Sequence, residues 1–343
     1  MSKTTTYAPP ATEASSAVVA NRWGDPESAL EASRLELVYG SQLAHNGQYY
    51  EPPIPFEGLA RLRRVNPHHS PLPEFVANWV VRYMKPHPLI QRQELRRMLI
   101  DYETTGNGFL RRHTDQAGRT VRISHQPTIN TRRAADPARY GYLKPDTREF
   151  QLFYGVEILH HAQHETLQQM YGTPYWIGAM QSILLGEDVR IFPRLFFKNG
   201  GSTGDMVVTS GLTGKEQENV EGIVGKVKGG GRFLRMVFQF SRGKIDEMVK
   251  VIPYSTGSDK IDFSKLANLS SDDVLDAWGI RAELVGMTPD TPGGSGDLDK
   301  LKRMWHEGGV IPRQQALQDL LEGVLPVPLA FYGYDELDTA YSG

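Results

Sequence analysis

Three histidines and a glutamate lie close together near the middle of the sequence and could bind a metal. They are His160, His161, His164 and Glu165, and His160 and His164 have the i, i+4 spacing that would place two imidazoles on one helix face. The zinc-protease pattern His-Glu-x-x-His fails here, because Gln168 stands at the last position. The pattern therefore favours a structural or surface histidine cluster, and we expect no metal site.

Glycine-rich stretches match two catalytic patterns only in part. Residues 200–204 fit Gly-x-Ser-x-Gly, but a nucleophilic serine of that kind follows a strand and precedes a helix, whereas here a predicted helix comes first. Lys215 and Lys226 each follow a glycine, but Glu216 and Val227 stand where a phosphate-binding loop has serine or threonine. We expect no catalytic residue and no cofactor.

Two groups of basic residues could contact phosphate or another protein. One group surrounds three consecutive glycines and consists of Lys226, Lys228, Arg232 and Arg235, although an exposed hairpin would have the same composition. The other group, Arg190, Arg194 and Lys198, has i, i+4, i+8 spacing on a helix predicted to run from Pro174 to Lys198. Pro193 predicts a kink in that helix.

Composition limits the classes of protein that remain. The 343 residues include no cysteine, which excludes disulfides, thiolate metal sites and cysteine nucleophiles. The sequence predicts neither a membrane-spanning segment nor a signal peptide, so we expect a protein made in the cytoplasm without a membrane partner. The 34 glycines and 22 prolines predict many turns rather than a plain helical bundle.

The net charge of −2 conceals a polarised chain. Residues 61–148 hold 17 Lys or Arg against 7 Asp or Glu, whereas residues 261–343 hold 6 against 14. Solvated surfaces are the favoured explanation, and contacts with nucleic acid or between copies of the chain are the alternative.

The order of predicted elements indicates an α+β protein. Three helical patterns, the third over residues 89–102, precede a hairpin around residues 115–118, and strands over residues 206–209, 233–240 and 248–252 form a small α/β insert. Asp262 is the predicted N-cap of a helix over residues 263–269, and Ser270 with Asp273 resembles a capping box that begins another. Residues 288–297 read TPDTPGGSGD and predict a loop before a last helix.

From Tyr171 the sequence resembles a known family. YGTPYWIGAMQSILLGEDVRIFPRLFFKNGGSTGDMVV is similar to the portal proteins of tailed bacteriophages, in particular the PBSX-type family of contractile-tailed temperate phages. NGQYYEPPIPFEGLARL and KPHPLIQRQELRRMLIDYETTGNGFL upstream, and GGSGDLD downstream, follow the same family order, so the resemblance covers roughly residues 23–325. Residues 280–283 and Ser202 depart from the family pattern, and Pro193 is unexpected in its helix.

The resemblance implies a portal fold in a subunit that is not an enzyme. Such subunits assemble as a dodecameric ring at one capsid vertex of the virion, where double-stranded DNA passes during packaging and ejection. The partners it implies are the terminase large subunit, a head-completion or adaptor protein, and the major capsid and scaffold proteins. The implied regions are a flexible arm (1–22), a wing (23–170), two stem helices (171–198 and 261–284), a clip (199–260), a channel loop (285–297), a spine helix (298–325) and a tail (326–343).

Three sets of residues follow from that division. The channel loop is expected to face DNA through Thr288, Asp290, Gly293, Gly294, Ser295, Gly296 and Asp297, whose two carboxylates repel phosphate. The basic clip group is expected to contact the terminase or the adaptor. Head-to-tail stem contacts are expected between the basic group of the first stem helix and Asp272, Asp273 and Asp276 of the second.

Two other classes of function are compatible with the sequence. A DNA-binding or DNA-processing protein would use the basic region 61–148, and a metal-dependent hydrolase would use the histidine cluster. The sequence contains neither a recognised DNA-binding motif nor a catalytic constellation to support them.

Overall fold

The computed structural model describes residues 44, 47–153, 157–166, 168–198, 205–210, 237–240, 249–253, 263–286 and 298–337. Contacts divide the chain into two compact units, one comprising Met1–Pro26 with Arg190–Asp262 and the other Glu27–Val189 with Phe263–Gly343. The predicted arm, the channel-loop residues 288–297 and the four basic clip residues lie outside the described residues.

Three helices open the larger unit: α1 (Phe56–Val65), α2 (Leu72–Arg82) and α3 (Arg92–Thr105). Pro73 lies in the first turn of α2, where its missing N–H interrupts no helical hydrogen bond. Gly106 ends α3 at a φ of 74°, and a Cβ there would lie 2.6 Å from the carbonyl carbon of Thr173. Only glycine meets both conditions, so α3 can turn directly into the next strand.

Six strands form two small antiparallel sheets in the same unit. The first has the order β2-β1-β6 and comprises β1 (Asn107–Thr114), β2 (Thr120–Gln126) and β6 (Ile158–Ala162). The second has the order β3-β4-β5 and comprises β3 (Thr131–Arg133), β4 (Tyr140–Leu143) and β5 (Phe150–Leu152). The predicted hairpin is confirmed, because Asp115 accepts the backbone N–H of Gly118 at 3.0 Å between β1 and β2.

The core forms where α3 packs on the first sheet. Leu95, Met98 and Leu99 repeat at helical spacing on α3 and are fully buried, together with Leu110 of β1 and Ile123 of β2. A Cβ on residue 108 would lie 2.4 Å from the sulfur of Met98, so the glycine there allows the helix to approach the strand closely.

Two longer helices come next in the described chain. After a 3₁₀ turn over Tyr175–Ala179, α4 (Met180–Lys198) continues through Pro193, and α5 comprises Phe263–Trp278. The capping box at Ser270 and Asp273 is wrong, because α5 is one uninterrupted helix and Ser270 is buried in its middle. The Ser270 hydroxyl donates to the carbonyl of Ser182 at 2.6 Å, so it bonds a neighbouring helix rather than capping its own.

The rest of the chain divides between the two units. In the smaller unit, β7 (Asp205–Ser210) pairs in parallel with β8 (Val237–Phe240) and antiparallel with β9 (Val249–Pro253). In the larger unit, α6 (Leu298–Trp305) passes through a π-helical turn at His306–Val310 into α7 (Ile311–Leu321). Gly308 and Gly309 lie in this π turn, and the helix continues through them. No helix of the described chain has the length and apolar character needed to span a bilayer.

Candidate functional site

A buried charge joins the three elements that meet at the start of α4. We name Glu103, Tyr175, Trp176 and Arg313 the anchor cluster. Arg313 Nε lies 2.7 Å from Glu103 Oε1, and Arg313 also donates to the Tyr175 hydroxyl at 2.6 Å. The Tyr175 hydroxyl donates to Glu103, and Trp176 Nε1 donates to the Glu103 carbonyl at 2.8 Å. Thus α3, the turn before α4, and α7 are held at one point.

The anchor cluster is energetically demanding because it lies inside the protein. Glu103 is fully buried, and the Arg313 side chain is only 19% exposed. Burial, together with the charge of Glu103, raises the pKa of Tyr175 well above its ordinary value. Burial alone would lower the pKa of Arg313, but the nearby Glu103 carboxylate raises it overall. Removing one partner of such a pair leaves an uncompensated buried charge, which typically costs about 3–5 kcal/mol.

Asn107 fixes the segment that leads into the anchor cluster. Its side-chain amide donates to the carbonyl of Gly172 at 2.8 Å, and its Oδ1 accepts the Gly172 N–H at 2.8 Å. His160 Nε2 lies 3.0 Å from the same Oδ1. A Cβ on residue 172 would lie 2.3 Å from the carbonyl oxygen of Gly106, so the two glycines lie against each other. Glycine at position 172 is therefore a packing requirement.

Two of the clustered histidines pack inside the fold, whereas His164 is exposed. His160 and His161 lie on strand β6 rather than on a helix, so the i, i+4 geometry considered above does not arise. The His160 ring stacks on Phe109 at 4.3 Å, and the His161 ring stacks on Tyr102 at 4.2 Å. Burial lowers the pKa of His160 to about 3 and that of His161 to about 4. Among the described residues, no group of three or more His, Asp or Glu side chains could hold a metal ion.

A polar contact between small side chains holds α4 and α5 together. The Ser182 hydroxyl donates to Asp273 at 2.7 Å, and the Asn66 amide donates to Ser270 Oγ at 3.3 Å. A Cβ on residue 186 would lie 2.2 Å from the Asn66 amide nitrogen, so Gly186 leaves room for this contact. Trp278 Nε1 donates to His69 Nδ1 at 3.1 Å, which ties the end of α5 to the loop between α1 and α2.

The predicted stem residues occupy different environments. Arg190 and Arg194 are exposed on α4, whereas only the backbone of Lys198 is described. Asp272 and Asp276 are exposed on α5, one turn apart, while Asp273 is half-buried and bonded to Ser182 of the same chain. The structure therefore separates Asp273 from the two outward carboxylates.

Sequence reasoning missed the anchor cluster. Glu103 and Arg313 are separated by 210 positions, and neither belongs to a motif that predicts a pair. Glu103 lies just beyond the helix predicted over residues 89–102, so nothing in the pattern marked a buried carboxylate. The one available signal was Tyr175-Trp176, an aromatic pair with polar ends that need buried partners.

Two sequence relatives match most of the chain. It is 29% identical over 300 residues to the probable portal protein of Escherichia phage P2, covering 87% of this chain and 86% of the relative. It is 28% identical over 301 residues to the probable portal protein of Haemophilus phage HP1, covering 86% of this chain and 87% of that protein. No family model matches the chain.

Solved structures with the same fold come from gene transfer agent particles. A chain in the virion of the native particle aligns over 83% of this chain and 87% of its own length, with a TM-score of 0.55 and 14% identity. A chain in the neck of the empty particle, computed with C6 symmetry, aligns over 84% and 87%, with a TM-score of 0.56 and 13% identity. The predicted α+β class and the family resemblance are confirmed.

The lowered pKa of His161 predicts how the free energy of unfolding depends on pH. Because the pKa of His161 is about 4 in the folded chain against 6.5 ordinarily, only the unfolded chain binds its proton between these values. Above pH 6.5, His161 is neutral in both the folded and the unfolded chain and does not change the free energy of unfolding. As the pH drops from 6.5 towards 4, proton binding by the unfolded chain lowers the free energy of unfolding by about 1.4 kcal/mol per pH unit for this residue. His161→Phe keeps the ring stack on Tyr102 and removes the titration.

We expect the unfolding free energy of His161→Phe to fall less steeply between pH 6 and pH 4.5, by about 1.4 kcal/mol per pH unit. Denaturant unfolding at matched pH values measures the two slopes. Equal slopes for the variant and the wild type would show that His161 is not held neutral by the fold.

Proposed function

We propose that this chain, a portal protein of a bacteriophage, is one subunit of the ring at a capsid vertex through which viral DNA is packaged and ejected. The observation that carries the proposal is the sequence match to two probable portal proteins over more than four-fifths of each chain. The fold supports this match, because chains with the same fold occur in the virion of one gene transfer agent particle and in the neck of another.

The proposed subunit works as part of a homo-oligomeric ring in the virion. One structural relative is a chain in the neck of a native particle computed with C12 symmetry, with a TM-score of 0.54. By analogy, we assign twelve copies to the ring of this protein and place its assembly in the host cytoplasm. A ring of identical subunits needs two different surfaces that meet head to tail.

The division into regions is part of the proposal. The wing would comprise residues 23–170, the stem helices 171–198 and 261–284, the clip 199–260, the channel loop 285–297 and the spine helix 298–325. Within the larger unit, the anchor cluster connects an element of the wing to the start of the first stem helix and to the spine helix. In such a subunit, the start of the first stem helix would stay fixed relative to the wing and the spine helix while DNA moves past.

The stem supplies the head-to-tail contact that we propose. Arg190 and Arg194 lie one turn apart and exposed on α4, and Asp272 and Asp276 lie one turn apart and exposed on α5. Pairs with the same spacing and opposite charge are complementary between neighbouring subunits. Lys198 would extend the basic column, whereas Asp273 already serves the contact between α4 and α5 within the chain.

Further partners follow from the proposed role. Double-stranded DNA would pass the channel loop without specific contacts. The clip, with Lys226, Lys228, Arg232 and Arg235, would meet the terminase large subunit and later a head-completion or adaptor protein. The wing would face the major capsid and scaffold proteins. No enzymatic step is assigned to this chain.

The basic region 61–148 supports a DNA-processing role less well. Arg132 is buried and donates to two backbone carbonyls, and Arg133 is directed to the carbonyls of Pro137 and Gln169. Arg63 pairs with Glu74 at 2.7 Å. Many of the basic residues therefore hold the wing together, and no observation favours this second function.

Ring formation is the direct test of the proposed function. Native mass spectrometry and electron microscopy of the purified full chain should give rings of twelve. Arg194→Glu should raise the protein concentration needed for half-assembly by about tenfold, because it places like charges across each of the interfaces. Adding Arg190→Glu, Asp272→Lys and Asp276→Lys to the same chain exchanges both charged pairs and should restore assembly.

Arg61→Glu, which reverses an exposed charge on α1, is the matched control and should assemble as the wild type does. If Arg194→Glu formed rings at the same protein concentration as the wild type, the proposed stem contact would be wrong. A wild-type chain that stays monomeric would instead contradict the ring itself.

The acidic channel loop gives a second expectation. Reversing its two charges, with Asp290→Lys and Asp297→Lys, should slow DNA movement because each added cation binds phosphate through counterion release. Packaged DNA per particle, measured in phage carrying the variant, should fall severalfold, and the defect should lessen at higher salt. Full genomes packaged at the normal rate would show that the loop does not line the passage.

A further inference from the structure

Two short proline-containing segments lie side by side at the surface of the larger unit. Residues 86–88 read Pro-His-Pro, and residues 326–328 read Pro-Val-Pro. The middle residues are joined, because His87 Nε2 lies 2.9 Å from the carbonyl oxygen of Val327. The backbone N–H of Lys85 also donates to the carbonyl of Ala330 at 2.9 Å.

The edge strand β2 extends the same surface. The backbone N–H of Ile123 donates to the carbonyl of Leu89 at 2.8 Å, and Ile90 forms a parallel bridge with Ile123. Pro88 lies two residues before this bridge on one segment, and Val121 lies two residues before it on the other. We name the paired-proline surface by its six exposed residues: Pro86, Pro88, Val121, Pro326, Val327 and Pro328.

The surface is apolar, exposed and rigid. Val121 is 50% exposed and Val327 is 52% exposed, although both belong to tightly hydrogen-bonded segments. A single exposed apolar residue is ordinary on a protein surface. Here three segments that are distant in the sequence expose apolar side chains at one place, which indicates an interaction site. Four of the six residues are prolines with fixed φ, so binding a partner would order little backbone.

The charges around this surface are mainly positive. Arg119 is 81% exposed, Arg122 is 61% exposed and Arg97 is 54% exposed. Two of the nearby carboxylates are paired, because Glu94, 11% exposed, lies between Arg97 and Arg122 and Asp115 is bonded to Arg119 at 2.8 Å. Glu322, four residues before Pro326, is an exposed carboxylate on the same segment, so the three exposed arginines outnumber it. An approaching partner therefore meets an apolar centre with a cationic margin.

The composition favours a protein over a nucleic acid as the occupant. Phosphate contacts use lysine, arginine and backbone N–H groups. The centre of the paired-proline surface is apolar, and its four prolines have no N–H to donate. An apolar centre surrounded by charge is the usual arrangement of a protein interface. The cationic margin selects a partner of opposite charge.

We propose that the paired-proline surface binds an acidic, apolar segment of another protein, such as an amphipathic helix with Glu or Asp beside Leu or Phe. Its apolar face would lie on Val121, Val327 and the prolines, and its carboxylates would face Arg119 and Arg122. This inference goes beyond the proposed function, because it concerns the outer surface of one subunit and does not depend on ring formation.

The test uses the full chain and a fluorescein-labelled synthetic helix of 18 residues with Glu on one face and Leu and Phe on the other. Fluorescence anisotropy should show saturable binding to the wild type. Val327→Asp, and separately Val121→Asp, should weaken binding about tenfold or more, because each places a carboxylate opposite an acidic partner. Both positions are exposed, so the variants should unfold at the wild-type denaturant midpoint.

Ile129→Asp, at another exposed apolar position, is the matched control and should bind within about twofold of the wild type. A second peptide with every Glu replaced by Lys should not bind. Equal affinity of Val327→Asp and the wild type would overturn the proposal. It would also be overturned if a 20-base-pair duplex, but not the peptide, bound in a Val327-dependent way, or if Val327→Asp abolished only self-association of the chain.

Discussion

The buried carboxylate of Glu103 is the constraint on which the arrangement of the larger unit depends. A charge without solvent must be paired and hydrogen-bonded, and Glu103 obtains its partners from two distant parts of the chain. Arg313 belongs to the helix that follows the predicted channel loop, and Tyr175 belongs to the turn that begins α4. Apolar side chains alone could still pack if α3, the turn before α4 and α7 shifted along one another. The hydrogen bonds of the anchor cluster could not then form, because they depend on the distances and angles between these elements.

Around that point the sequence uses small residues to bring backbones together. Gly106 and Gly172 allow the end of α3 to meet the segment before Pro174, and Gly186 allows α4 to lie against Asn66 and Ser270. These contacts join the proposed wing to the proposed stem within one compact unit. The contacts between α4 and α5 within the chain use Ser182, Ser270 and Asp273, whereas Arg194, Asp272 and Asp276 are exposed.

Much of this fold is readable from the sequence because local rules act strongly. The apolar spacing of α1, α2 and α3, the hairpin at residues 115–118 and the helix after Pro174 follow from periodicity and turn chemistry. The capping box at Ser270 was wrong because a serine hydroxyl can bond a neighbouring helix as well as its own N-terminus, and only tertiary contact decides between them. The ion pair of Glu103 and Arg313 was beyond prediction, since pairing across 210 positions leaves no local pattern.

One buried ion pair, between Glu103 and Arg313, joins α3, the start of α4 and α7. A double-mutant cycle on the full chain, with Glu103→Leu, Arg313→Met and both together, measures the coupling directly as a free energy of unfolding. Each single variant should lose about 3–5 kcal/mol, because the remaining charge is buried without a partner. The double variant should lose no more than the worse single one. Losses that simply add would contradict the account, because the two side chains would then act independently.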